Sequence, residues 1–128
     1  MTVLDTHAWI WWVSDPDRLS RPARREIARA SRIGVPGICC LEVAVGVRRG
    51  RLSLDRPTLD WLEDAAAQPR VELLPLTPSI AVKAADLPTT FPGDPADRVI
   101  AATAVLLSAP LVTRDEGIRA FSGVRCIW

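Results

Sequence analysis

Short, wholly apolar runs alternate along this chain with longer segments whose apolar residues recur every three or four positions, the spacing that lines one face of a helix. Val3-Leu4 predicts a first strand that ends at Asp5, with Thr6 as the N-cap of an apolar helix over Ala8 to Val13. Ser14-Asp15-Pro16-Asp17 has turn chemistry, and Ser20 caps a second helix from Arg21 to Ala30 with Pro22 in its first turn. Ile33-Gly34-Val35 predicts the second strand, followed by a turn at Pro36-Gly37 and a helix carrying Leu41, Glu42, Val45 and Val47 that stops near Gly50. A helix from Pro57 into the alanines 65 to 67, a strand over Val71 to Leu76, and a helix opened by Pro78 that runs through Ile80 to Ala85 come next. Asp94-Pro95 opens a further helix with its stripe at Ile100, Ala101, Ala104 and Leu107. The strand Leu111-Val112-Thr113, a short helix around Ile118 to Phe121 and a last strand from Val124 to Trp128 close the chain.

Strands that alternate with helices imply right-handed crossovers and a mainly parallel sheet covered on both faces, here an α/β/α sandwich of three layers with about five strands. The functional crevice of such a fold lies at the carboxyl ends of the strands. Asp5 and Asp115 stand at two of those ends. Asp97 sits on the apolar stripe of its helix, one turn above Ile100 and Ala101, so its carboxylate lies along a buried face. Helix capping is the alternative account of Asp94 and Asp97, because the pair resembles a capping box and an acidic first turn suits the helix dipole.

Composition narrows the chemistry. The 128 residues have the length of one domain, 1–128, and 48% hydrophobic with 24% charged residues is ordinary for a soluble globular protein. No apolar run approaches the ~18 residues of a bilayer span, and no basic leader precedes Val3-Leu4-Asp5, so a cytoplasmic location is expected. Cys39, Cys40 and Cys126 have no metal-ligand spacing and read as reduced structural thiols. His7 is the only histidine, which leaves little room for a zinc site or a Ser-His-Asp triad. Charge is unevenly spread: residues 1–51 hold nine Arg against five acids, net +4, and residues 52–128 hold seven basic against ten acidic, net −3. All basic residues except Lys83 are Arg. Runs at Arg18 to Arg32 and Arg48 to Arg51 read either as solvated faces or as a rim that tracks phosphates. The continuous apolar segment with Trp9, Trp11 and Trp12 must be covered by the core or by a partner.

Four segments together resemble the PIN-domain nucleases, and within them the VapC-type toxins of toxin–antitoxin pairs: LDTHAWIWW with Asp5, LEVAVGVRRGRLSL with Glu42, GDPADRVIAATA with Asp97, and PLVTRD with Asp115. The resemblance covers essentially the whole chain. It implies a PIN-like fold, endoribonuclease activity, a homodimer, and a small antitoxin that masks the site. It makes Asp5, Glu42, Asp97 and Asp115 an acidic cluster that holds Mg²⁺ or Mn²⁺, with Asp94, Thr113 and Arg98 as accessory residues. Asp94 is then a cap or a partner for Arg98 four residues on. Cys39 departs from the pattern, since many relatives have Ser three residues before the glutamate. The residue types fit independently: carboxylates crowded together need a cation, and oxygen ligands favour Mg²⁺ or Mn²⁺, which activate water for attack on a phosphodiester. Three rivals stand beside this reading: a phosphoryl-transfer enzyme with Asp5 as nucleophile, which usually wants a second Asp where His7 stands; a degenerate PIN domain that binds RNA or acts as a scaffold; and a DNA nuclease.

Overall fold

Successive residues of a strand point to opposite faces of a sheet, so a strand buried at every position must be covered on both sides. Thr2, Val3 and Leu4 are all buried, as are all four residues from Ile33 to Pro36. In the computed structural model, which describes residues 1–128, the order is β1 (Thr2–Leu4), α1 (Thr6–Ser14), a 3₁₀ turn (Pro16–Arg18), α2 (Arg21–Arg29), β2 (Ile33–Pro36), α3 (Ile38–Arg48) and α4 (Thr58–Ala66). The second half runs β3 (Val71–Leu74), α5 (Pro78–Asp86), α6 (Pro95–Leu106), β4 (Leu111–Val112), α7 (Glu116–Arg119) and β5 (Cys126–Ile127). The five strands form one all-parallel sheet in the order β3-β2-β1-β4-β5. This is the expected α/β architecture.

The strand order explains where a site must form. From β1 the chain steps outward to β2 and β3, then returns to the other side of β1 to lay down β4 and β5. The direction therefore switches between β1 and β4, whose registers align Leu4 with Val112. Connections diverge from such a point and leave a crevice beyond the carboxyl ends of the two strands. Asp5 follows β1 directly, and Thr113 to Asp115 follow β4.

Boundaries moved where local signals competed. Thr6 is the first residue of α1 and does not cap it; Asp5 does, accepting from the Ala8 N–H at 2.8 Å. The carboxylate outcompetes the hydroxyl because it faces the same orphan donors with a full charge. The strands are shorter than their apolar runs, since pairing ends at Leu74 in β3 and begins only at Cys126 in β5. Pro75 follows Leu74 directly and has no N–H to continue the ladder. Gly50 ends the α3 segment as expected, in the left-handed region at φ 73°.

The tryptophan-rich helix belongs to the core. Trp9 is fully buried edge-on against Trp61, with ring centroids 5.5 Å apart, and Trp11 is 7% exposed. Their own chain covers them, so the apolar run of α1 by itself calls for no partner. Truncating Trp9 to Ala should lower stability by about 3–5 kcal/mol, the range for a buried aromatic, whereas Leu59→Ala at a site 66% exposed should change it by less than about 0.5 kcal/mol. Urea midpoints of the two variants measure the contrast.

Candidate active site

A cleft of about 420 Å³ opens at the switch point, and its walls carry Asp5, Glu42, Asp94, Asp97 and Asp115 together with Thr6, His7, Trp11, Ile100 and Arg114. The four acids expected to act together thus come from four elements, at the end of β1, on α3, on α6 and at the start of α7. They share the cleft without forming a closed cage: no three of the His, Cys, Asp and Glu side chains stand close enough to enclose an ion.

Each acid is held differently. Asp5 is 7% exposed and uses both oxygens, Oδ1 accepting from the Ala8 N–H and Oδ2 from the Thr113 hydroxyl. Thr113, itself fully buried, in turn accepts from the Asp115 N–H at 3.1 Å, so one hydroxyl joins the ends of β1 and β4. Asp115 caps α7, accepting from the Ile118 N–H at 2.9 Å. The Thr6 hydroxyl donates to Glu42 Oε1 and so ties α1 to α3. The sequence reading missed that role, because it spent Thr6 on a cap.

Asp97 stands apart from the other three. Asp94 caps α6 through the Ala96 N–H at 2.8 Å, as anticipated, but Asp97 accepts no backbone hydrogen bond, and no capping box forms. Burial, and then the negative charges of Asp94, Asp115, Glu42 and Asp5, push its pKa up to about 7. Burial likewise raises Asp5, against the lowering effect of its hydrogen bonds and of His7. Desolvation outweighs repulsion at both groups.

Of the two roles offered for Asp94, the cap forms and the pairing with Arg98 does not. All five N–H groups of Arg98 go to backbone carbonyls: Nε to Pro92 at 3.1 Å, Nη1 to Ala84 at 3.1 Å and Leu87 at 3.3 Å, Nη2 to Pro88 at 3.2 Å and Phe91 at 3.3 Å. The planar fork reaches acceptors along the whole loop between α5 and α6, which an ammonium with three donors could not. Arg98 thereby fixes the loop that delivers Asp94 and Asp97. At the departing position, Cys39 is buried and desolvation raises its pKa, so it is not a reactive thiolate.

Residues 2–124 match the PIN domain family. Ribonuclease VapC22 of Mycobacterium tuberculosis (strain ATCC 25618 / H37Rv) is 41% identical over 117 residues, 91% of this chain and 88% of that protein. Among solved structures, VapBC2 of Rickettsia felis bound to a DNA fragment from its promoter superposes with a TM-score of 0.72 at 16% identity, covering 98% of this chain and 96% of the other. A toxin–antitoxin complex from Klebsiella pneumoniae gives 0.68 at 20% identity, with coverage of 97% and 95%. At such identities the structural likeness concerns the fold.

A carboxyl whose pKa is raised from 3.8 in the unfolded chain to about 7 in the folded one binds more protons when folded. Its contribution to stability is therefore fully present below pH 4 and is lost as pH rises towards 7. Asp97→Asn removes that liability, so in EDTA it should melt higher than the parent, with a gap that widens from pH 4 to 7. With solvent screening of a half-buried group allowed for, a gap on the order of 4 °C at neutral pH is expected, equivalent to about 1 kcal/mol. Thermal melts across that range check it; a mutant that melts lower would mean that the charged form of Asp97 stabilises the helix.

Proposed function

The chain belongs to the PIN-domain family, among the relatives of the VapC ribonucleases, and from that premise we propose that it is a metal-dependent endoribonuclease restrained by a cognate antitoxin protein. The observation that carries this reading is the gathering of Asp5, Glu42, Asp97 and Asp115 on one cleft, with the Asp97 carboxyl raised to about 7. A site in which burial and neighbouring acids raise the pKa of one carboxyl this far is short of positive charge. The donor set suits a hard divalent cation, Mg²⁺ or Mn²⁺, since carboxylate oxygens dominate it and His7 is the one imidazole on the cleft wall. When bound, such an ion lowers the pKa of water and neutralises charge on the phosphate.

The chain's own residues supply position and protons. Asp5 is immobilised through both oxygens, Glu42 is oriented by Thr6, and Asp115 is oriented through Oδ1 with its other oxygen free. Asp97 would favour its charged form beside a bound cation, which would couple cation binding to pH. No side chain here suits a covalent mechanism: the Cys39 thiol is buried and its pKa is raised, and Asp5 is engaged at both oxygens and lacks the second aspartate a phosphoryl-transfer site would want. Four filled acidic positions also disfavour a degenerate scaffold.

A second groove of about 480 Å³ adjoins the cleft, sharing Thr6, His7, Glu42 and Asp94 with it and adding Ile10, Ile38, Leu41, Val45 and Leu52. Arg49 and Arg51 also line it, and a part-apolar, part-charged groove that leads to the acids is the kind of surface an antitoxin segment would cover while masking them. A homodimer belongs to the same reading.

Purified protein should cleave single-stranded RNA with Mg²⁺ or Mn²⁺ and stop in excess EDTA. Asp97→Asn should lose at least about 10²-fold in rate with an unchanged circular dichroism spectrum, the scale on which one preorganised charge contributes at a reacting centre. Undiminished cleavage in EDTA would refute the metal site. Light scattering should give twice the 14.0 kDa chain mass for the free protein, and a monomer at high concentration would remove the dimer from the reading.

A further inference from the structure

Trp11 has an environment that neither the fold nor the acidic cluster explains. Two guanidinium groups converge on its ring, Arg114 with Cζ 4.8 Å from the centroid and Arg18 at 5.3 Å, and the His7 and Trp128 rings lie 5.5 and 5.8 Å away. Trp11 and Arg114 both line the acidic cleft. An arginine that lines the same cleft as Asp5, Asp97 and Asp115 would be expected to pair with one of them. Arg114 pairs with none: the ion pairs of the chain are Arg24–Asp17, Arg29–Glu26, Arg32–Glu72 and Arg56 with Asp55 and Asp64. Arg18 is equally exposed and equally without an ion pair.

Contact with the ring accounts for this. The negative π face of the indole attracts each cation while consuming none of its N–H donors, so the donors remain available to an incoming anion. Arg114 also has a fixed place relative to the acids, because it lies between Thr113 and Asp115, which are joined by the Asp115 N–H to the Thr113 hydroxyl. We propose that Arg114 and Arg18, mounted on Trp11, form a phosphate-binding edge that grips the backbone of single-stranded RNA beside the bond to be cut, with Arg114 the principal contact. The proposal rests on the ribonuclease reading for its substrate. The planar fork of arginine takes two oxygens of a phosphodiester at once, and the grip reads no base. Arg114 is on this account a substrate-positioning residue and takes no part in proton transfer.

The competing explanation is that Arg114 merely offsets the negative charge of the cleft. The two differ in salt dependence, because a phosphate contact releases condensed counterions from the RNA and an internal countercharge does not. The test is fluorescence anisotropy of a labelled single-stranded RNA oligonucleotide, with Mg²⁺, on full-length protein carrying Asp97→Asn so that the RNA survives. Adding Arg114→Gln should weaken binding about tenfold, the scale of a charge-assisted pair of hydrogen bonds. It should also reduce the slope of log affinity against log salt by about 0.7, the value of one single-strand phosphate. Arg18→Gln should act in the same direction and less, Arg114→Lys should recover the slope better than the affinity, and Arg56→Gln should change neither. In cleavage-competent protein the Arg114→Gln loss should fall mainly on KM. If Arg114→Gln matches Arg56→Gln in affinity and slope, the phosphate edge is overturned. RNA binding with the predicted slopes by a protein that never cleaves would leave the edge standing and remove the nuclease reading. A protein that does not bind the oligonucleotide at all would overturn both.

Discussion

Carboxylates gathered at one edge of a sheet repel one another and lose hydration, and everything around the cleft has to hold them there against both effects. Lost hydration is the larger of the two at Asp5 and Asp97, with the neighbouring negative charges adding to it. The fold meets this with hydrogen bonds from groups whose positions are already set by secondary structure. Thr113 reaches Asp5 from β4, and Thr6 reaches Glu42 from the first turn of α1. Arg98 secures the approach to α6 from below, taking five carbonyls that the end of α5 and the following loop would otherwise leave to water.

Helix capping and the gathering of acids on one cleft, which compete as explanations on paper, coexist here. Asp5, Asp94 and Asp115 each cap a helix, so three helix amino ends point their partial positive charge at the cleft. The caps favour the charged forms of the residues that would otherwise repel most. Asp97 has no such support, and burial with the neighbouring acids pushes its pKa up to about 7; at Asp5 the cap and the Thr113 hydroxyl lower the pKa, and burial still raises it on balance.

The tryptophans of α1 serve two ends of the molecule at once. Trp9 faces inward to Trp61, and its indole N–H is buried without a partner, an expense of packing the core this tightly. Trp11, two residues on, turns towards the cleft and gathers Arg18 and Arg114. A helix that is apolar all round can do this only because it stands beside the switch point, where one of its sides meets the core and another meets the site.

The order of strands and helices was legible in the chain because it depends on period and on local signals: apolar runs for strands, Ser20, Asp94 and Pro95 for helix starts, Gly50 for a stop. The parallel sheet and the placing of Asp5 and Asp115 at its carboxyl edge follow from alternation and handedness alone, which act before any specific contact. The identity of the acids was legible too, since side-chain type and order are properties of the sequence. Their environments were not. Thr6 reads locally as a cap and binds Glu42, 36 residues away; local spacing offers Asp94 as a cap or as a partner for Arg98, and Arg98 binds a loop; Trp11 with Arg114, 103 positions apart, gives no sequence signal as a pair. Hydrogen-bond partners, burial and the electrostatic sum at a carboxylate are set by groups that meet only after the chain has folded back on itself, and the distance that separates them in space has no fixed relation to their separation along the chain.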